Sequence, residues 1–328
     1  MTPSDAALGA DLMRRATEAN CCCGPDRGLL ALLREDAPIY AGRGAIEAER
    51  LRAFVLECVS RAGLAPDALA FIREELETTM DPYAVAAAAR AVRHVPLLPQ
   101  DIEDLLHRAA DRIGAVDENV CLDTYPAPQA ADGRSAVAEV RDTLAAVGRA
   151  TPRRAHPALA PDAPEDAIAR LRDVELEDQD GQTITVGQLF LGRPSVIAFF
   201  YTRCMNPDKC SRTIGRLGAL QALVDHTGAV VAGITYDPAY DLPDRLRRYG
   251  QDRGFRFGPH GRLLRSTAAF EQIRCMLHLG VGYGAATVNR HAVELFVADP
   301  AGRLVAFHGR ELWDERDVAD ELLRVAGR

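Results

Sequence analysis

Two cysteines separated by five residues, Cys204 and Cys210, stand where an apolar run, SVIAFFY (195–201), meets an amphipathic one, SRTIGRLGALQALVDH. A thiol pair in that position supports two chemistries, thiolate binding of a soft metal ion and exchange with a disulfide. Cys210 falls where the second run should open a helix, and helix-end amides favour a thiolate there. Lys209, the sole lysine of the chain, lies between the two cysteines and adds positive charge. A second group, Cys21-Cys22-Cys23-Gly24-Pro25, reads as free or buried thiols at a helix end. Consecutive helical residues point about 100° apart, so these three reach one ion only if the chain unwinds at Gly24-Pro25. Cys58, Cys121 and Cys275 lie in or beside apolar stretches and are expected in cores. His226, His260, His278 and His308 are isolated and expected at the surface or in turns; Cys275 and His278, three apart, are a weak metal pair.

Composition narrows the classes. The 328 residues are 48% hydrophobic and 26% charged, enough for two soluble domains with real cores. The formal charge of −8 is uneven: residues 1–150 carry 16 arginines against 24 acidic residues, while residues 169–328 carry 21 basic against 20 acidic. Neither half has the basic bias of a nucleic-acid binder. The start, MTPSDAALGADLMRRATEAN, has no apolar signal core, and no stretch approaches the roughly 18–20 apolar residues of a membrane helix. A cytoplasmic protein is expected, with reduced cysteines that serve metal or redox chemistry and do not staple the fold. There is no phosphate loop, nucleophile elbow, zincin helix or zinc-ribbon spacing.

Three regions must position these groups. Residues 1–150 read as an all-α domain. AIEAERLRAFVLECVSRAG carries an apolar stripe at Leu51, Phe54, Val55, Cys58 and Val59. Pro66 is placed to open a second helix bearing Leu69, Phe71, Ile72 and Leu76, and Asp81-Pro82 to cap a third, PYAVAAAARAVRH. DIEDLLHRAADRIG and SAVAEVRDTLAAVG complete a HEAT-like solenoid or a plain helical bundle. Residues 151–168, TPRRAHPALAPDAPEDAI, with four prolines, have linker composition. Residues 169–328 alternate strands with helices in the order β-β-β-α-β-α-β-β-α, an α/β layer sandwich of the thioredoxin-like kind.

Within the third region four segments carry a resemblance. AFFYTRCMNPDKCSRTI resembles the metal-binding segment of the Sco/SenC family. ITYDPAYDLPDRLRRYG resembles that family's next strand and its Asp-Pro…Asp-x-Pro turn, here Asp237, Pro238, Asp241 and Pro243. RHAVELFVADPAGRLV resembles its His-strand-hairpin segment, and DGQTITVGQLFLGRPSVIAFFY its opening hairpin. The likeness spans residues 170–328. It implies a thioredoxin-like copper chaperone whose ligands are Cys204, Cys210 and His291, and that set suits Cu(I) and Cu(II). The chain departs from the family in spacing its cysteines Cys-x5-Cys where Cys-x3-Cys is usual, and in showing no membrane anchor.

The resemblance implies a copper-binding protein that delivers copper to a partner protein engaged by the helical domain, with no nucleic acid or membrane segment involved. Asp237 is a candidate to orient His291 or tune the thiols, or else caps its turn; Tyr201 lines the site or packs; Cys21-Cys22-Cys23 are an alternative second soft-metal site. The alternative function is a thiol-disulfide oxidoreductase using Cys204 and Cys210. Against it, Val288-Asn289-Arg290-His291 occupies the stretch where thioredoxins place a proline facing the disulfide.

Overall fold

The computed structural model describes residues 4–18, 26–127, 133–147 and 163–326. Cys21-Cys22-Cys23 and most of the proline-rich segment, 151–162, lie outside the described residues. The chain divides into two compact units, Met1–Pro157 with Val281–His291, and Ala158–Gly280 with Ala292–Arg328.

The first unit is built on helices α1 (Asp5–Glu18), α2 (Ala45–Arg61), α3 (Leu69–Thr78), α4 (Pro82–Val92), α5 (Ile102–Ile113) and α6 (Ala136–Val147). Helix α3 starts three residues beyond Pro66 because residues 65–68 form a turn. Helix α4 is buried along nearly its whole length, from Pro82 to Val92 apart from Arg90. Its alanines let α2, α3 and α6 pack close on it, and Asp81 caps its first turn by accepting from the Ala84 amide at 3.0 Å. Arg90 escapes through its guanidinium, which reaches Glu139 on α6 at 3.2 Å. Cys58 is buried on α2, and burial pushes its thiol up to about 12, so it is an inert core residue.

Among the described residues of the second unit, seven strands form one mixed sheet. They are β1 (Glu175–Asp178), β2 (Thr183–Thr185), β3 (Ser195–Phe200), β4 (Val230–Thr235), β5 (Gly261–Arg265), β8 (Glu294–Ala298) and β9 (Leu304–Gly309). The order is β9-β8-β3-β4-β5-β1-β2. Strands β3, β4 and β5 run parallel at the centre, and β8 and β1 flank them antiparallel. Every residue of β3 and β4 is buried, which is why both read as unbroken apolar runs. Helices α7 (Arg212–Val224), α8 (Pro243–Gln251) and α10 (Glu315–Ala326) cover the sheet; α7 packs on β3 and β4, α8 on β5 and α10 on β8. This is the expected thioredoxin-like architecture.

The chain also has elements the periodicity did not show. Strand β5, GRLLR, holds two arginines whose charges pair with Asp178 and Glu177 of β1, and those charges mask its pattern. A short helix, α9 (Phe270–Leu277), follows it. Strands β6 (Val281–Tyr283) and β7 (Val288–His291) form an antiparallel hairpin that clusters with the first unit. No helix among the described residues is long and apolar enough to cross a membrane.

Candidate metal centre

Strand β3 delivers the cysteine loop. Beyond Phe200 the chain leaves the sheet at Tyr201, passes Cys204 and enters a wide turn, Pro207–Ser211, that leads into α7. The backbone breaks from helical geometry at Lys209, so Cys210 is set by an irregular turn ahead of the regular helix. Met205, between the cysteines, is 92% exposed, while Cys210 is 1% exposed.

The loop is anchored from beneath by Asp241, which is fully buried. Its carboxylate accepts the Thr202 amide at 3.1 Å and the hydroxyls of Thr202 and Thr235. Burial pushes this carboxyl up, and the Thr202 and Thr235 bonds pull against the shift. Asp237 pairs with Arg203, the residue before Cys204, at 2.5 Å. The Arg203 guanidinium lies 4.0 Å over the Tyr240 ring. Asp237 thus holds the shoulder of the cysteine loop through Arg203.

The thiols meet a drier environment than a helix end suggests. The Cys210 sulfur accepts the Tyr201 amide at 3.4 Å, and the Cys204 thiol donates to the Asn206 carbonyl at 3.6 Å. Burial raises the Cys210 thiol well above its ordinary range, and Cys204 adds to the rise; the Tyr201 amide and Lys209 pull down less. The expected lowering by Lys209 is present in direction and outweighed by desolvation. Burial likewise raises the phenols of Tyr201 and Tyr249, with sulfur neighbours contributing to both. Tyr201 therefore borders the sulfurs and packs as well.

The histidine arrives on strand β7, which ends at His291, paired opposite Val281 and 5% exposed. Just past it the Ala292 amide donates to the Gly280 carbonyl at 2.7 Å. The buried Glu294 carboxylate accepts the Gly280 amide at 2.9 Å and the Tyr236 hydroxyl at 2.8 Å. The donor atoms of Cys204, Cys210 and His291 lie within 4.8 Å of one another, so the three could hold a metal ion. Among the described residues no other group of three such side chains comes together in this way. Two sulfurs and one imidazole nitrogen form a soft to borderline donor set, which fits copper better than hard cations.

The remaining candidates stand elsewhere. Cys275 is exposed and donates to Glu271 at 3.4 Å, and His278 caps α9 with a left-handed backbone, φ 52°. His308 meets Glu321 at 2.9 Å. The anchoring roles of Asp241, Glu294 and Tyr236 were not anticipated. The sequence signals the first, since Asp241 and Pro243 stand in the Asp-x-Pro motif, but carries no signal for a glutamate that opens an apolar strand.

The SCO1/SenC family model matches residues 164–327, half of the chain. The chain belongs to the SCO1/SenC family. Solved structures of Sco proteins are similar over that half. Copper-bound ScoI of Bradyrhizobium japonicum is 24% identical, with TM-score 0.39, over 46% of this chain and 96% of that one. Yeast Sco1 is 27% identical, with TM-score 0.33, over 46% of this chain and 90% of that one. BsSco, described as a member of the Sco family of cytochrome c oxidase assembly proteins, is 15% identical, with TM-score 0.42, over 51% and 96%. No curated protein matches the chain.

Proposed function

We propose that this SCO1/SenC protein binds copper through Cys204, Cys210 and His291 and passes it to a partner protein by ligand exchange. The observation that carries the reading is the convergence of those three donors, from segments about eighty residues apart, within 4.8 Å. A half-buried Cys204 beside a buried Cys210 suits ligand exchange, because an incoming ligand can approach from the Cys204 side. Asp237 acts through Arg203 to hold the Cys204 loop. Residues 1–150 are read as the partner-selecting domain, 151–168 as a linker and 169–328 as the Sco-like domain. The proposed setting is the cytoplasm, where thiols stay reduced. That one solved relative is described as a cytochrome c oxidase assembly protein makes an oxidase-type copper acceptor one candidate partner.

The test is a Cu(I) titration of reduced protein against a strong competing chelator. Cys204→Ala and His291→Ala should each lose more affinity than the roughly 10–100-fold typical of a residue that only supports a ligand.

The second reading, a thiol-disulfide oxidoreductase, draws on the same pairing of an accessible sulfur with a buried one. It requires that Cys204 attack a disulfide and Cys210 resolve it. Unchanged copper affinity in both variants, with rapid reduction of a model disulfide by the parent protein, would establish this reading and sink the first.

A further inference from the structure

The strand that ends in His291 is held by two consecutive buried polar side chains. Arg290, 5% exposed, pairs with Glu49 of α2 and with Glu75 of α3, the latter at 2.5 Å. Glu75 also accepts from Arg52 of α2 at 2.7 Å. Arg52 reaches Glu35 at 3.1 Å and Glu74 at 3.8 Å, so two guanidiniums and four carboxylates form one cluster. Asn289, 7% exposed, donates to the backbone carbonyls of Tyr40 at 3.0 Å and Arg43 at 3.1 Å. On the companion strand a Cβ at Gly282 would stand 2.2 Å from the Glu35 carbonyl, so only glycine permits that approach.

We infer that Arg290, seconded by Asn289, is a positioning residue for the His291 imidazole: the buried ion pairs to Glu49 and Glu75 fix the strand, and through it the ligand. Successive residues of a strand point to opposite faces, so Asn289 and Arg290 lock both faces of β7 at once. An apolar side chain at 290 would be buried as readily but could slide. A guanidinium shared by two carboxylates satisfies its donors in few geometries, and shifting it would leave buried charges unpaired. A metal ligand needs such restraint, since supporting residues that orient an imidazole set the affinity of the site. Helices remote in sequence from the cysteine loop thereby bear on the metal centre.

This rests on the metal reading proposed above, and His291→Ala tests that reading by itself. The full-length protein is titrated with Cu(II), and the electron paramagnetic resonance spectrum is read for coupling to imidazole nitrogen. Arg290→Met should bind on the order of 10-fold more weakly and lose or alter the nitrogen coupling. In the metal-free protein its amides at 288–291 should exchange faster than in the parent. Combining it with His291→Ala should cost less than the two separate losses together. Should Arg290→Met not fold, Glu49→Gln removes one ion pair while retaining the other, and must shift the same readouts in the same direction. A folded variant with parent affinity, parent nitrogen coupling and unchanged exchange overturns the inference, as do fully additive losses. Parent affinity and coupling in His291→Ala overturn the metal reading and the inference with it.

Discussion

Asp241 illustrates how one side chain supports a site without touching it. A carboxylate with no exposed surface receives an amide and two hydroxyls, from Thr202 at the root of the cysteine loop and Thr235 at the end of β4. Asp241→Asn puts amide hydrogens where only acceptors fit. It should cost about 1–3 kcal/mol of stability, read from urea unfolding. It should also weaken Cu(I) binding, because the loop bearing Cys204 loses its anchor. Thr202→Val, which removes one hydroxyl and keeps the backbone bond, should cost less than Asp241→Asn in both measurements. Equal losses would mean that the Thr202 amide and the Thr235 hydroxyl contribute nothing. At this scale the sequence was partly legible. Cys204, Cys210 and His291 were identified by residue type and a family pattern, and Asp241 was visible as part of a motif. What Asp241 bonds to was not visible, since Thr202 and Thr235 are ordinary residues until folding sets them around it.

Element boundaries show the same division. Helix α4 was evident because Asp81-Pro82 marks a start and PYAVAAAARAV is apolar throughout. The charge state of its cap was not evident. Burial, then Glu49, raises the Asp81 carboxyl from 3.8 to about 7. A carboxyl whose folded value lies above its unfolded one stabilises the fold fully below the unfolded value. That contribution is lost as pH rises through the folded value. Stability attributable to Asp81 should therefore decline between about pH 4 and pH 7. Asp81→Asn, which retains an oxygen acceptor for the Ala84 amide, should flatten that decline in chemical-denaturation curves taken across the window. Asp81→Ala should lower stability by about 1 kcal/mol near pH 4 through loss of the cap, and should also flatten the decline because the titrating group is gone. Arg52 carries the larger prediction. Truncating it to methionine leaves Glu35, Glu74 and Glu75 buried with less positive charge, and should cost about 3–5 kcal/mol. The hairpin β6–β7 escaped notice because VNRH carries a buried asparagine and arginine where a strand pattern calls for apolar residues. Its polar side chains are paired with α2, α3 and the backbone of Tyr40 and Arg43, partners 215 to 249 positions away.

For the whole molecule, metal binding and folding are linked. A ligand that binds only the folded chain stabilises it by about 2.7 kcal/mol at a free concentration 100-fold above Kd. Copper should raise the unfolding midpoint of the parent protein, and His291→Ala should abolish most of the rise. A parent midpoint indifferent to copper would contradict the proposed site. The class of each half, helices first and a thioredoxin-like sandwich second, is legible in the residues alone, because hydrophobic periodicity is local and survives without neighbours. Residue type together with the family resemblance marked Cys204, Cys210 and His291 as the proposed ligands, since few residue types can bind soft metals. Folding alone brings three donors from distant segments to one place, makes desolvation outweigh Lys209 at Cys210, and gives Arg290 its carboxylates on α2 and α3. Proximity and burial depend on how the whole chain closes, and no window of sequence contains that information.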